Sequence, residues 1–297
     1  MNYRTKLGMM FALLLVATMT VNVMAMDKVI YGDDDRLDLY QTTNTLHLEL
    51  AKSTAAMIDA SSLTKKDDSY EIQGETLKSR GICASALFAE QITAAMCSGF
   101  LVGRNLLVTA GHCIRSQSDC DKYRWVFDYG LNSADEVANF SVPASSVYKC
   151  KRVVKTTLDR GTMDDFAVVE LDREVEGREP LAYRKDGQVE VGEPLVVIGH
   201  PTGLPTKVAA GAAVRNNSNK YYLVANLDTF GGNSGSAVFN SETGLVEGIL
   251  VRGETDYVYD YDQGCQVPKV CTNSGCRGED VTRITNIKEL LDEAVNL

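Results

Sequence analysis

Three short segments of the 297-residue chain carry side chains that could perform acyl chemistry together. In TFGGNSGSAVF, Thr229 to Phe239, Ser234 lies between Gly232 and Gly235, where the backbone can turn tightly and aim its amides into a cavity. A serine hydroxyl is a weak nucleophile, so it needs a base beside it and amide donors for the developing oxyanion. The amides of Gly232 and Ser234 are the natural donors. In VTAGHCI, Val108 to Ile114, His112 follows an apolar run ending in small residues, so its ring can project from a strand end into a cleft. In MDDFAVVEL, Met163 to Leu171, an acid pair opens an apolar run. Asp165 adjoins that run and is expected to be buried, with Asp164 facing solvent. A buried carboxylate needs a partner, and an imidazole Nδ1–H is one that also fixes the ring's tautomer. Taken singly, the segments also fit a glycine-rich turn, a surface or core histidine and a structural acid.

The elements that must position these groups read as short strands. From Cys97 onward come CSGFLVG, NLLVTA, YRWVFDYG, DFAVVEL, EPLVVIG, YYLVANL, GSAVFN and GLVEGILV. Val, Ile, Tyr and Phe dominate the runs, and Gly, Asn, Asp and Pro separate them, which is strand-and-turn chemistry. A helical spacing of comparable strength comes only at the end, in Ile287, Leu290, Leu291 and Ala294. Many short strands indicate a sandwich or barrel rather than a parallel sheet, and at this length two barrels suit better than one large one.

The segments occur in the order His, Asp, Ser, which is the chymotrypsin-type order and not that of subtilisins or α/β-hydrolases. TAGHC, DDFAVVEL and GGNSGSAVF resemble the three catalytic motifs of trypsin-like serine peptidases. GNSGS, with Asn233 before the serine, is most similar to the glutamyl endopeptidase branch, as is VIYGDDDRLDLYQTTN at residues 29–44. The resemblance implies an all-β fold of two six-stranded antiparallel barrels of the chymotrypsin type with a C-terminal helix. Residues 29–180 would form the first barrel, with His112 and Asp165, and residues 181–297 the second barrel, with Ser234, and the helix. It further implies His112 as general base, Asp165 as its orienter, Ser234 as nucleophile, and a disulfide between Cys97 and Cys113. No cofactor or metal is expected. The expected partners are protein or peptide substrates, and the expected state is a monomer.

The chain also departs from the family. Asn233 stands where trypsins carry the aspartate that pairs with the new amino terminus after zymogen cleavage. Glutamyl endopeptidases share that change and bring their amino-terminal valine near the specificity pocket. Lys28–Val29 is the matching bond here, which leaves a propeptide of Met26 to Lys28. Thr229 fits the threonine that helps hold a glutamate side chain in that branch, but Leu250 stands where its pocket histidine is expected. Asp228 occupies the position where trypsins carry the acid that selects Lys or Arg, so basic residues are slightly favoured over glutamate. The alternatives are that the Val29 ammonium neutralises Asp228, or that Asp228 is a structural acid bonded to nearby amides. Arg252 and Glu254 add one charge of each sign on the expected substrate-binding edge. The acids Glu254, Asp256, Asp260 and Asp262 match no EF-hand spacing and read as a solvated loop. His200, before a Pro-Gly turn with no adjacent acid, reads as structural.

Composition bounds the rest. With 44% hydrophobic and 24% charged residues the chain is globular, and 40 acidic against 30 basic side chains argue against nucleic acid. Arg4 and Lys6 precede an apolar run from Leu7 to Val16, and Val23 and Ala25 fit a signal-peptidase site, so residues 1–25 read as a cleaved secretory signal. No membrane association is expected once the signal is removed. Export, to a periplasm or beyond, suits eight cysteines paired as disulfides. Beyond Cys97 and Cys113 the other six leave 15 connectivities open. Cys265, Cys271 and Cys276 lack a nearby histidine for a zinc site. The reading is a secreted serine endopeptidase; its rivals are a catalytically silent homologue acting as a binding module, and an esterase with the same triad.

Overall fold

A computed structural model describes residues 29–137 and 140–295. The expected signal peptide, residues 1–25, and the expected propeptide, Met26 to Lys28, lie outside the described residues. The first barrel closes in the order Tyr123–Val126, Val147–Leu158, Asp165–Leu171, Leu106–Thr109, Ala95–Leu101 and Thr54–Asp59. Every pairing is antiparallel, and Tyr123–Val126 against Thr54–Asp59 completes the ring. The second runs Pro194–Gly199, Ala237–Asn240, Val246–Arg252, Glu279–Arg283, Tyr222–Ala225 and Lys207–Asn216, and the last pairs back with the first.

Several strands are apolar without alternation because both faces are buried. In EPLVVIG, Leu195 and Val197 enter the core of the second barrel, while Val196 and Ile198 join a cluster shared with Phe100, Trp125 and Val168 of the first. Likewise Ala55 and Met57 face that shared cluster, and Ala56 and Ile58 face Tyr129, Phe140 and Val142. Alternate side chains leave a strand on opposite faces, so one run can bind two cores.

The short helix Lys288–Val295 closes the chain. Leu291 and Ile287 are buried in the shared cluster, and Leu290 and Ala294 pack against it. Burial at roughly 1.5–3 kcal/mol per large aliphatic side chain, not the solvent-facing Lys288–Asp292 pair, holds the helix down.

The amino-terminal segment joins the second barrel rather than the first. Arg36–Asp38 pairs with Lys207–Ala209 and extends that sheet to seven strands. Ile30 and Tyr31 pair in parallel with Val270 and Cys271. The cause is a buried polar knot: Lys207 Nζ donates to Asp38 at 2.6 Å and Gln91 at 2.8 Å, while Gln91 also donates to Asp38. Burial pulls the Lys207 ammonium down to about 8, against the pull of Asp38. Such a pair adds little net stability, but breaking it strands a buried charge, so it fixes where the segment docks.

Four disulfides complete the frame: Cys83–Cys265, Cys97–Cys113, Cys120–Cys150 and Cys271–Cys276. Cys265, Cys271 and Cys276 all spend their sulfurs in these bonds. Cys83–Cys265 joins segments 182 residues apart and ties the hairpin of Tyr257–Asp260 and Cys265–Pro268 to the loop that precedes Ile92. No described helix is long and apolar enough to cross a membrane.

Candidate active site

Asp165 opens its strand, and its carboxylate is fully buried. One oxygen accepts the His112 backbone amide at 3.0 Å, and the other faces the His112 Nδ1 at 2.8 Å. A carboxylate accepts, so Nδ1 carries the proton and Nε2 is left as the basic nitrogen. The double contact fixes the loop and the ring at once. Asp164 is half-buried rather than open to solvent: Asn286 Nδ2 donates to it at 3.0 Å, and burial raises its pKa.

The Ser234 loop is held from both sides. Gly232 and Gly235 have φ of +93° and +88°, a region that side chains disfavour. A Cβ on Gly232 would lie 2.5 Å from the His200 carbonyl oxygen, and one on Gly235 would lie 2.2 Å from that of Ser98. Both positions therefore exclude any other residue. The turn is closed by Asn233 N–H to Phe230 O at 2.9 Å and Ser236 N–H to Asn233 O at 2.8 Å. Cys113 Sγ stands 3.7 Å from the Ser234 carbonyl oxygen, which sets the histidine loop against the serine loop. Ser234 itself is buried, 5% exposed.

Ser98, absent from the sequence reading, bridges these parts. Its amide donates to Ser234 O at 2.8 Å, its hydroxyl donates to Gly232 O at 2.8 Å, and that hydroxyl accepts the His200 amide at 3.0 Å. The available signal was its position beside Cys97, whose disulfide partner follows His112. Asp256, one of the loop acids, accepts the Gly231 amide at 2.8 Å, one residue before Gly232. Tyr257 follows it, bonded to Thr202 Oγ1 at 2.7 Å with its ring 5.0 Å from that of Phe230.

The candidate specificity residues are arranged differently from one another. Asp228 is buried with both oxygens on backbone: Tyr31 N–H at 2.7 Å and Asp35 N–H at 2.9 Å. This is the arrangement of a structural acid holding the amino-terminal segment. Burial pushes its pKa up to about 7, against the two amides. Val29 is fully buried, and its carbonyl accepts the Thr229 amide at 3.2 Å. Thr229 Oγ1 donates to Glu279 at 3.0 Å. Leu250 is buried, its backbone paired with Gly235 and Ser236 just after Ser234. Arg252 is turned to Asp280 at 2.8 Å and to the Met163 carbonyl at 2.8 Å, which braces the segment leading to Asp165. Glu254 pairs with Lys269 at 2.9 Å, and Asp260 accepts the amides of Asp262 and Gln263 in its own turn.

The remaining histidines do other work. His200 is fully buried, donates from Nδ1 to Leu204 O at 3.1 Å and stacks on Tyr129; burial lowers its pKa to about 3, so it stays neutral. His47 Nε2 meets the Ser241 carbonyl at 3.2 Å. Cavities of about 1080 Å³ beside Arg104 and Leu290, and about 950 Å³ beside Leu48 and Arg178, contain none of the candidate site residues.

Two antiparallel six-stranded barrels, with the histidine loop of one against the serine loop of the other, are the architecture of chymotrypsin-like proteins. The family description "trypsin-like peptidase domain" matches residues 97–249. The chain belongs to that family. Among solved structures it is similar to a Glu endopeptidase, at 16% identity and a TM-score of 0.54, over 91% of this chain and 100% of that one. It is also similar to human heparin binding protein, at 14% identity and a TM-score of 0.52, over 84% and 92%. A third is the VesB protease of Vibrio cholerae, at 13% identity and a TM-score of 0.51, over 91% and 68%. At these identities the likeness concerns the fold. No curated protein matches the sequence.

Proposed function

We propose that the chain is a secreted serine endopeptidase working through Ser234, His112 and Asp165. The observation that carries this reading is the two-point grip of Asp165 on His112, which leaves Nε2 basic, on a loop whose next residue, Cys113, packs against the carbonyl of the glycine-flanked Ser234. Ser234 Oγ attacks the peptide carbonyl while His112 takes its proton. The amides of Gly232 and Ser234 stabilise the oxyanion; among the described residues the Gly232 amide has no other acceptor. His112 then protonates the leaving amine, and water hydrolyses the acyl-enzyme by the reverse proton path.

Export is supported by four disulfides, the signal-like residues 1–25 and membership of a peptidase family. Processing at Lys28–Val29 is supported by the buried Val29, whose carbonyl is fixed to Thr229 beside the nucleophile loop. Intact-mass spectrometry after treatment with a fluorophosphonate tests both points. The expected result is one adduct on a chain beginning at Val29, and none on Ser234→Ala. A correctly folded, processed chain without adduct would favour the silent binding module, and a mature chain starting elsewhere would overturn the processing site.

A further inference from the structure

Gly231 is gripped at both of its backbone groups. Its amide donates to Asp256 at 2.8 Å, and its carbonyl accepts the Thr202 amide at 2.5 Å. That carbonyl shares one planar peptide with the Gly232 N–H, and in a trans peptide the two point in opposite directions. An oxygen held on Thr202 therefore keeps the Gly232 N–H turned away from Thr202. The turn Pro201–Gly203 lies directly against Gly232, where a Cβ would come 2.8 Å from the Gly203 amide nitrogen and 3.4 Å from that of Thr202.

Thr202 makes this contact from a backbone conformation it disfavours. Its φ and ψ are +53° and +19°, in the left-handed region, where a β-branched side chain crowds its own backbone. Such strain persists only where the surroundings over-determine it. Two contacts do so here: the Tyr257 hydroxyl pairs with Thr202 Oγ1 at 2.7 Å, and Arg80 Nη1 donates to the Thr202 carbonyl at 3.1 Å. The two grips come from the segments that Cys83–Cys265 joins, Arg80 just before Cys83 and Tyr257 on the hairpin of Cys265.

We propose that Thr202 is a positioning residue for the oxyanion site: clamped by Tyr257, its strained backbone holds the Gly231–Gly232 peptide in the orientation that presents the Gly232 amide to the substrate. The proposal rests on the serine-endopeptidase reading. Without the clamp, Thr202 relaxes to negative φ, its amide leaves the Gly231 carbonyl, and the peptide is free to turn its N–H out of the site. The oxyanion is a charge of the transition state, so the loss falls on kcat and not on KM.

The test compares processed wild type, Thr202→Val, Thr202→Ser, Thr202→Gly and Tyr257→Phe on a short ester, with fluorophosphonate labelling and the inhibition constant of a peptide aldehyde for each. Valine keeps the shape without the hydroxyl, and serine keeps the hydroxyl. Glycine lacks it but takes a positive φ without strain. The expected loss in kcat is ~10-fold in Thr202→Val and Tyr257→Phe, with KM changed little, and Thr202→Ser and Thr202→Gly recover most of it, to within ~3-fold of wild type. Aldehyde binding should weaken by the factor lost in kcat/KM, because its hemiacetal oxygen takes the same amides. A hydroxyl that merely stabilised the fold would leave glycine at least as poor as valine. That result, or a change in KM alone, would overturn the proposal and leave the peptidase reading intact. If Thr202→Val fails to fold, the pair Tyr257→Phe with Thr202→Gly decides: a rate restored to that of Thr202→Gly supports the clamp, and one left at that of Tyr257→Phe overturns it. Wild type that does not label would remove both readings.

Discussion

The chemistry of the site depends on one tautomer. Asp165 holds the proton on His112 Nδ1 and simultaneously accepts the His112 amide. In Asp165→Asn the side chain offers one acceptor and one NH₂ instead of two acceptors. If its oxygen keeps the backbone amide, the NH₂ meets Nδ1 and favours the tautomer that cannot accept the serine proton. The expected loss is ~10⁴-fold in kcat, with KM changed little. Stopped assays on a small ester read this directly, and a loss under tenfold would show that Asp165 does not orient the base. The triad residues were legible because each sits in a local pattern: a glycine turn, a strand end and an acid before an apolar run. Ser98 and Thr202 were not, because their roles are contacts with residues far away in sequence, Ser98 with Ser234 and Thr202 with Gly231.

At the scale of elements, the serine loop is braced by the hairpin that Cys83–Cys265 secures. That hairpin's stem brings Asp256 to the Gly231 amide and Tyr257 to Thr202. The amide of the next residue, Gly232, is the proposed oxyanion donor, so Asp256 is expected to act on catalysis by holding the segment that carries it. Removing an acceptor worth about 1.5–3 kcal/mol, with partial compensation by water, should lower kcat by ~10-fold in Asp256→Ala. KM for a short ester should change little, and Asp256→Asn should restore the rate because its Oδ1 can accept the same amide. Equal losses in both variants, or a change in KM alone, would contradict this positioning role. The acidic spacing around Glu254 to Asp262 gave no hint of it: a loop rich in Asp looks the same whether it meets water or a backbone amide.

Across the whole molecule, the strand runs in the sequence correspond to the two barrels, and the last apolar spacing to the helix Lys288–Val295. Boundaries were less visible at the front. Arg36–Asp38 precedes the first barrel in sequence but adds to the sheet of the second, because Lys207 and Gln91 bury Asp38. The disulfide partners other than Cys97 and Cys113 depend on that folded proximity too, and spacing alone left them open. The central claim is that this fold cuts unactivated peptide bonds with Ser234. Mass-spectrometric mapping of a denatured protein mixture incubated with the processed chain tests it. The account predicts internal cuts that vanish with Ser234→Ala; hydrolysis of esters with no peptide bond cut would contradict it.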